Sequence, residues 1–269
     1  MAHWFTEIRG RVPKMAIVIL GVIPIVVLIG LWWFFTRGEV EDRAIGPQIL
    51  PSPVEVVQSV PELLLQRDLA THILASLRRV GLGYLVALVV VLPLGILMGS
   101  FGSARATLSP ATTASGYIPI ATLVPLTMSW FGTDELQKVI FLGMAFGIYL
   151  MPLVVSAIEN VPSVYLRTAS TLGATKIQTV SRVLVPIAMP EIWHAMRLAF
   201  GVGWTYLVLT EVVVLTDGLG YLVAISQRRG PREHIYLVIV VITLIAWVSD
   251  LVWTMLGRWL FPYYERSRR

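Results

Sequence analysis

Two acidic residues, Glu211 and Asp250, lie inside long apolar segments of the sequence. A charge within a membrane-spanning segment is costly, so such residues are candidates for gating or for binding a polar solute. Glu211 lies near the end of its segment and could equally reach lipid headgroups or a neighbouring arginine. For Asp250 we favour a structural hydrogen bond to a neighbouring helix. The two residues lie at different depths, which argues against a pair between them.

Enzymatic chemistry finds little support in the sequence. The chain has no cysteine, and its four histidines are too dispersed along the sequence for a metal site. It has no Gly-Lys dipeptide, and therefore no P-loop to cradle the phosphates of ATP. We expect no catalytic residue, no metal site and no cofactor bound by this chain itself.

The composition indicates a membrane protein. Hydrophobic residues make up 56% of the 269 residues and charged residues only 14%, whereas soluble domains carry roughly 25% charged residues. In a bilayer only helices and closed barrels satisfy the backbone, and long unbroken apolar runs favour helices. The net charge of +5 comes from Lys and Arg at the ends of apolar segments. Lipid headgroups explain that placement better than nucleic acid does.

A helix needs about 20 apolar residues to cross the hydrocarbon core. The segments that qualify are 15–35, 80–100, 110–131, 136–158, 192–215 and 235–259. The first is long and ends in aromatic residues, which fits a retained anchor better than a cleaved signal peptide. The predicted fold class is an all-α integral membrane protein with about six transmembrane helices.

Prolines and hydroxyl residues interrupt the segment 110–131, so it is the least clear of the spans. A broken helix exposes carbonyl groups that could meet a small polar solute. The alternative is a re-entrant or interfacial segment. Gly201 and Gly203 could form the close helix contact that movement requires, although ordinary helix packing explains them equally well. The candidate residues of a translocation path are Tyr117, Pro119, Thr122, Pro125, Trp130, Trp204, Thr205 and Glu211.

The segment 36–79 is too polar to cross the membrane, and its amphipathic stretch 54–65 is typical of a helix on the membrane surface. Basic residues at both ends of the chain favour cytoplasmic termini, which an even number of spans requires. The predicted organisation is a cytoplasmic N-terminus with the first helix (1–35), an extracytoplasmic segment (36–79), a core of five transmembrane helices (80–262) and a basic cytoplasmic tail (263–269).

The longest polar stretch on the predicted cytoplasmic side is the loop 159–190. A short helix over 165–172 would end at Gly173, because glycine readily takes the left-handed conformation that stops a helix. An amphipathic helix would follow over 174–185. Its apolar residues, expected on one side, are Ile177, Val180, Val183 and Leu184.

Two prolines, Pro186 and Pro190, would then reset the backbone before the next span. The two short helices would form a compact knob, a shape that suits docking into a groove of another protein.

The spacing of this loop resembles the EAA loop of permease subunits in binding-protein-dependent ABC importers. That pattern is EAA, three residues, Gly, nine residues and Ile-x-Leu-Pro. Arg167, Thr168 and Ala169 stand at its first three positions, Gly173 at the glycine and Pro186 at the proline. Arg167 and Thr168 replace the usual Glu and Ala. The residues that the resemblance implies for coupling to an ATPase are Arg167, Thr168, Ala169, Leu172, Gly173, Ala174 and Pro186.

The resemblance extends over most of the chain between positions 50 and 262. The importers for nitrate, sulfonates and taurine are similar in ILPSPVEVVQSV, IPIATLVPLTMSWFGT and GVGWTYLVLTEVVVLTDGLGYLV. This resemblance implies the type I ABC importer permease fold in the cell (inner) membrane. It also implies a second copy of the chain, an extracytoplasmic solute-binding protein and two separate ABC ATPase subunits that bind ATP and Mg. The implied substrate is a small anion such as a sulfonate, taurine, nitrate or bicarbonate.

Two other functions stay open as alternatives. A secondary transporter driven by an ion gradient would usually show internal repeats, and we find none in the sequence. A membrane-embedded enzyme would need nucleophiles or metal ligands clustered inside a span.

Overall fold

The computed structural model describes residues 12–41, 43–214 and 216–266. Every regular element within these ranges is helical, which confirms the predicted all-α class. The α-helices are α1 (Lys14–Thr36), α2 (Pro53–Gln58), α3 (Val60–Leu65), α4 (Leu69–Ser100), α5 (Gly102–Ser115), α6 (Leu123–Phe131), α7 (Glu135–Glu159), α8 (Ser163–Thr171), α9 (Lys176–Thr179), α10 (Val185–Val213), α11 (Leu219–Arg229), α12 (Glu233–Leu260) and α13 (Pro262–Arg266). The basic residues before position 12 and after position 266, predicted to be cytoplasmic, lie outside the described ranges.

Five helices in the described part of the chain are long and apolar enough to cross a membrane. The helices α1, α7 and α12 begin and end within two residues of the predicted spans. By contrast, α4 begins at Leu69 rather than at Val80, and α10 begins at Val185 rather than at Ile192. Two polar residues in the first turns of α4, Ser76 and Arg79, are buried and paired inside the protein instead of being hydrated. Their polarity therefore does not mark a loop.

The segment 110–131 is not one helix. It is divided between α5 and α6, and a 3₁₀ turn, Ile120–Thr122, precedes α6. Pro119 accounts for the break, because a proline disfavours the helical conformation in the residue before it. Two shorter helices thus replace the single span expected here.

The amphipathic stretch 54–65 is also divided, into α2 and α3. The Ser52 side chain accepts a hydrogen bond from the Glu55 N–H, and the Glu55 carboxylate accepts one from the Ser52 N–H, so α2 begins with a capping box. Pro61 lies in the first turn of α3. Its ring would clash with a carbonyl of the preceding turn in a continuous helix, which explains the break at Ser59.

The chain forms two compact units. The first comprises Met1–Arg67 and Ser226–Leu237, and the second comprises Asp68–Ile225 and Val238–Arg269. In the first unit, the Trp32 Nε1–H donates to the Pro51 carbonyl at 2.8 Å. This bond holds the end of α1 against the turn that precedes α2.

The core of the second unit is built on the close approach of α4 and α7. A Cβ atom at Gly83 would lie 2.6 Å from the Leu142 Cβ, and one at Gly99 would lie 2.6 Å from the Ile158 Cβ. Small residues at these positions let the two backbones approach closely. The Tyr84 hydroxyl donates to the Met196 carbonyl at 2.9 Å and links α4 to α10.

Only one of the two glycines predicted to make a close helix contact does so. A Cβ atom at Gly203 would lie 2.0 Å from the ring of Phe146, whereas nothing lies within 4 Å of a Cβ atom at Gly201. The contact of α10 with α7 therefore depends on Gly203.

Candidate functional site

The first candidate site is a helical elbow, which we call the elbow segment (163–184). It consists of α8, a turn at Gly173, α9 and a π-helical turn, Val180–Leu184. Gly173 has φ +77. The Ala174 N–H donates to the Ala169 carbonyl and the Gly173 N–H to the Ser170 carbonyl, both at 3.0 Å. This pattern is a Schellman motif, and it confirms the predicted end of the first short helix at a left-handed Gly173.

A capping box begins the second half of the elbow segment. The Thr175 Oγ1 accepts a hydrogen bond from the Gln178 N–H at 3.3 Å, and the Gln178 Oε1 accepts one from the Thr175 N–H at 2.9 Å. These bonds satisfy backbone donors that the start of a helix leaves free. The sequence signal for this cap is a threonine followed three residues later by a glutamine.

Pro186 and Pro190 do not interrupt the helix before the next span, contrary to the sequence-based expectation. Pro186 lies in the first turn of α10 and Pro190 inside it. The helical run continues without a break from Lys176 to Val213. The π-helical turn lies directly before Pro186, and its wider coil relieves the clash between the proline ring and the carbonyl four residues earlier.

Apolar residues anchor the elbow segment to the spanning helices. Leu184 is buried in a cluster with Ile158 and Ile192, and Leu166 and Val180 pack against that cluster. Ile177, which we expected on the same side as Leu184, is instead exposed. The π-helical turn between the two residues changes their angular spacing and rotates Ile177 away from the cluster.

The tip of the elbow is exposed and apolar. Leu172 is 82% exposed and Ile177 is 77% exposed, on either side of Gly173. The predicted coupling residues that are also exposed are Arg167, Thr168, Gly173 and Pro186. Ala174 is half-buried, and Ala169, a residue of α8, is buried. The structure thus places most of the predicted residues on a surface that another protein can reach.

The second candidate site is a cluster of charges, which we call the Arg79 network (Arg79, Glu135, Lys138, Glu211 and Asp217). Its centre is the ion pair between the Arg79 Nη1 and the Glu211 Oε1, which lie 2.7 Å apart. The side chains are 1% and 0% exposed. Taking such charges out of water is costly unless they are paired and hydrogen-bonded, and here they are both.

Arg79 also binds the other two carboxylates. Its Nε and Nη2 donate to Glu135 at 2.9 and 2.5 Å, as a two-point contact. Its Nη1 donates to the Asp217 carbonyl at 2.9 Å, and its Nη2 donates to the Asp217 carboxylate. Lys138, fully buried, lies 3.2 Å from Glu135 and 2.5 Å from the Thr216 hydroxyl. The network therefore joins α4, α7, α10 and the loop after α10.

Glu211 organises that loop. Its carboxylate accepts hydrogen bonds from the Ser76 hydroxyl and from the Gly220 N–H, both at 2.8 Å. A Cβ atom at Gly218, which has φ +105, would lie 2.2 Å from the Glu211 Oε1. Since any side chain at Gly218 would displace the carboxylate, the loop can close over Glu211 only with glycine there.

Asp217 lies in the loop, outside the spanning helices. Burial raises the pKa of its carboxyl group, but hydrogen bonds from Arg79 and Thr216 outweigh burial, and the pKa is lowered below its ordinary value. Asp217 therefore stays ionised and available to Arg79 at neutral pH.

Glu211 and Asp250, the two acidic residues within predicted spans, have separate partners. Glu211 reaches an arginine, which was one of its two interpretations. Asp250 on α12 forms an ion pair with Arg197 on α10, with an Nε–Oδ1 distance of 2.6 Å, as the expected bond to a neighbouring helix. Sequence analysis singled out neither Arg79, which it placed in the extracytoplasmic segment 36–79, nor Lys138, which lies at the start of the predicted span 136–158. The signal available was an arginine at the polar start of an otherwise apolar run.

The predicted path residues differ in exposure. Those that are exposed are Tyr117, Pro119, Thr122, Pro125, Trp130 and Thr205. Trp204 and Glu211 are buried. Among the described residues, no group of three or more His, Cys, Asp or Glu side chains could hold a metal ion.

The comparison with known families now identifies the class of protein. The family described as the inner membrane component of binding-protein-dependent transport systems matches residues 91–266. The chain belongs to this family, and it is a permease subunit of a binding-protein-dependent ABC importer.

Individual relatives show which branch of the family this chain resembles. The taurine transport system permease protein TauC of Escherichia coli is 29% identical over 263 residues, which cover 96% of this chain and 94% of that protein. The nitrate import permease protein NrtB of Synechocystis is 25% identical and covers 87% of this chain and 86% of that protein. These relatives confirm the predicted nitrate, sulfonate and taurine branch of the family.

Solved structures confirm the fold. An inward-facing structure of the MetNI methionine ABC transporter matches with a TM-score of 0.66 at 18% identity, over 74% of this chain and 97% of that chain. A second crystal form matches with a TM-score of 0.64. The architecture is that of a type I ABC importer permease.

Proposed function

We propose that this permease moves a small anion across the inner membrane, driven by a separate ABC ATPase that acts on the elbow segment. The observation that carries the proposal is the exposed tip around Gly173, mounted on helices that span the membrane. In this arrangement α5 and α6 together recross the membrane, because α7 begins at Glu135 beside Arg79 of α4. The number of crossings is then even, and the elbow segment and both chain termini are cytoplasmic. An extracytoplasmic solute-binding protein delivers the anion on the opposite side.

The continuous helix from Lys176 to Val213 supports a mechanical link. At about 1.5 Å per residue, about 50 Å of helix separate Lys176, at the start of α9 in the elbow segment, from Glu211. A push on the elbow would be transmitted along this helix to the Arg79 network. Alternating access follows if each nucleotide state of the ATPase binds one conformation of the permease preferentially.

One chain offers one elbow segment, and an ATPase dimer needs two. A homodimer with the translocation path on its two-fold axis is therefore the simplest assembly. ATP and Mg are bound by the ATPase subunits in this scheme, while this chain contributes the path and the contact surface. Its apolar outer surface contacts membrane lipid.

The substrate class rests on the relatives. TauC is named for taurine and NrtB for nitrate, and sulfonates and bicarbonate belong to the same chemical range of small anions. We propose that the solute-binding protein makes most of the selection.

The test of coupling uses two glycines that both have a positive φ. Gly173 has φ +77 and Gly132 has φ +74, and nothing lies within 4 Å of a Cβ atom at either position. A valine strains the backbone at both, because β-branched residues rarely adopt positive φ. We expect Gly173→Val to abolish ATPase binding and ATP-dependent uptake while membrane insertion persists, and Gly132→Val to retain ATPase binding. Normal ATPase binding and uptake by Gly173→Val would refute the coupling role.

The test of transport uses proteoliposomes that contain the permease alone or with its cognate ATPase and solute-binding protein. We expect uptake of labelled taurine, an alkanesulfonate, nitrate or bicarbonate only in the complete system with ATP. Uptake by the permease alone under an ion gradient would establish the secondary transporter instead.

A further inference from the structure

We infer that the surface which receives the elbow segment is acidic, and that Arg167 pairs there with a carboxylate of the ATPase. This inference rests on the proposed function, and it adds the charge of the partner surface to it.

The elbow segment carries cations only. Between positions 163 and 184 the sequence contains Arg167, Lys176 and Arg182, and neither aspartate nor glutamate. All three cations are exposed. Within the described ranges none of them forms an ion pair with another residue of the chain. The elbow segment therefore presents three positive charges that the described part of the permease does not neutralise.

Arg167 is placed to be the central contact. Its Nη2 donates to the Ser163 hydroxyl at 3.2 Å, which is an uncharged partner one helical turn away. The nearest acidic residue before α8 along the chain, Glu159, is paired with Arg105. A guanidinium in this situation is free to form a two-point contact with a carboxylate of another protein.

The rest of the exposed surface of α8 carries no charge: it consists of the apolar side chains of Val164 and Tyr165 and of hydroxyl residues. The hydroxyl groups of Thr168, Ser170 and Thr171 donate to carbonyls of their own helix. They contribute no charge, so the electrostatic potential of the elbow segment comes from the three cations. An acidic partner surface complements that potential and also speeds association.

The geometry favours a protein groove over the membrane surface as the occupant. A helix that binds lipid lies flat with a continuous apolar face. Here the large apolar side chains at the tip, Leu172 and Ile177, stand on either side of a sharp turn. Along α8, hydroxyl residues lie between Leu172 and the exposed apolar pair Val164 and Tyr165. An apolar centre with a charged rim is the usual anatomy of a protein interface. We therefore assign Leu172 and Ile177 to an apolar pocket of the ATPase, with carboxylates around it.

The experiment measures binding of the cognate ATPase to full-length permease at 50 and at 300 mM NaCl, in nanodiscs of phosphatidylcholine and in nanodiscs that also contain an anionic phospholipid. The variants are Arg167→Glu, Arg167→Gln and Arg167→Lys. Arg67→Glu is the matched control, because Arg67 is also exposed but lies in the other unit. Because Arg167 is exposed, these substitutions leave the fold intact.

We expect Arg167→Glu to weaken ATPase binding by roughly 30-fold or more at low salt, and Arg167→Gln to weaken it less. Arg167→Lys should retain most of the affinity, because it keeps the charge, and Arg67→Glu should change nothing. Higher salt should weaken the wild type and reduce the difference between the variants.

Three results would overturn the inference. If the wild type binds the ATPase but all variants bind equally at both salt concentrations, the partner surface is not acidic, and coupling through the elbow still stands. If the effect of Arg167→Glu appears only in nanodiscs that contain anionic phospholipid, the cations face the membrane. If the wild type binds no ATPase, the proposed function fails together with the inference.

Discussion

Arg79 on α4 and Glu211 on α10 form an ion pair of 2.7 Å although they are separated by 132 positions in the sequence. Both side chains are buried, and Ser76 and Gly220 complete the hydrogen bonding of the carboxylate. In a permease built from long helices, this pair fixes the ends of two of them to each other and to the loop that follows α10.

The pair predicts a large loss of stability when one partner is removed. Glu211→Gln removes the fully buried one of the three carboxylates that Arg79 binds. Because Glu135 and Asp217 remain, we expect a cost of about 2–3 kcal/mol, below the value for a lone buried pair. Thermal unfolding in detergent should show a midpoint lower by about 5–10 °C. Arg105→Gln is the control, since it breaks an exposed pair with Glu159, worth about 0–1 kcal/mol. Equal midpoints for the two variants would contradict the structural role of the network.

The packing of α10 against α7 predicts opposite effects at two neighbouring glycines. Gly203→Ala places a Cβ atom 2.0 Å from the Phe146 ring and should destabilise the protein, by about 1–3 kcal/mol for overpacking. Gly201→Ala meets open space on the same helix and should be neutral or stabilising by up to about 1 kcal/mol. Unfolding midpoints of the two variants in the same detergent test this directly. A stable Gly203→Ala would show that the two helices pack less closely than described.

The lowered pKa of Glu55 predicts that acid destabilises the first unit. Burial raises the pKa of its carboxyl group, but the hydrogen bond from the Ser52 N–H and the ion pair with Arg43 lower it overall. Because the folded form has the lower pKa, the stabilisation is complete above the ordinary value of about 4.3 and is lost as the pH falls through the folded value. Melting curves between neutral pH and pH 3 should show a shallower acid loss for Glu55→Gln. Glu41→Gln, at an exposed site in the same unit, should behave like the wild type.

Local features were predictable from the sequence, and the left-handed turn at Gly173 is the clearest of them. A helix stop needs only a glycine with the right neighbours, so a few residues determine it. The span limits of α1, α7 and α12 were equally accessible, because continuous hydrophobicity marks them.

The Arg79 network could not be predicted in the same way. Its members come from α4, α7, α10 and a loop, and hydropathy treats each charge as if water surrounded it. The start of α4 was therefore taken for an extracytoplasmic segment. Glu211 could be singled out as a charge within a span, but its partner depended on contacts that only the folded chain provides.

The prediction that Ile177 lies on the same side as Leu184 was wrong for a different reason. Helical spacing placed it with Leu184, and that inference assumed an uninterrupted α-helix. The π-helical turn Val180–Leu184 breaks the assumption while leaving the chain helical. Nothing in the residue types of that stretch indicates the wider turn, apart from the proline that follows it.

The same π-helical turn also sets how the residues that precede it in the elbow segment are oriented about the axis of α10. A π turn behaves as one extra residue in an α-helix, and one residue corresponds to about 100° of rotation about the helix axis. Removing a single residue from Val180–Leu184 would therefore swing Gly173, Leu172 and Arg167 around α10 by about a quarter of a circle. Under the proposed coupling, the direction in which the elbow segment faces the ATPase is thus set by the length of one turn, and not only by the side chains at the point of contact.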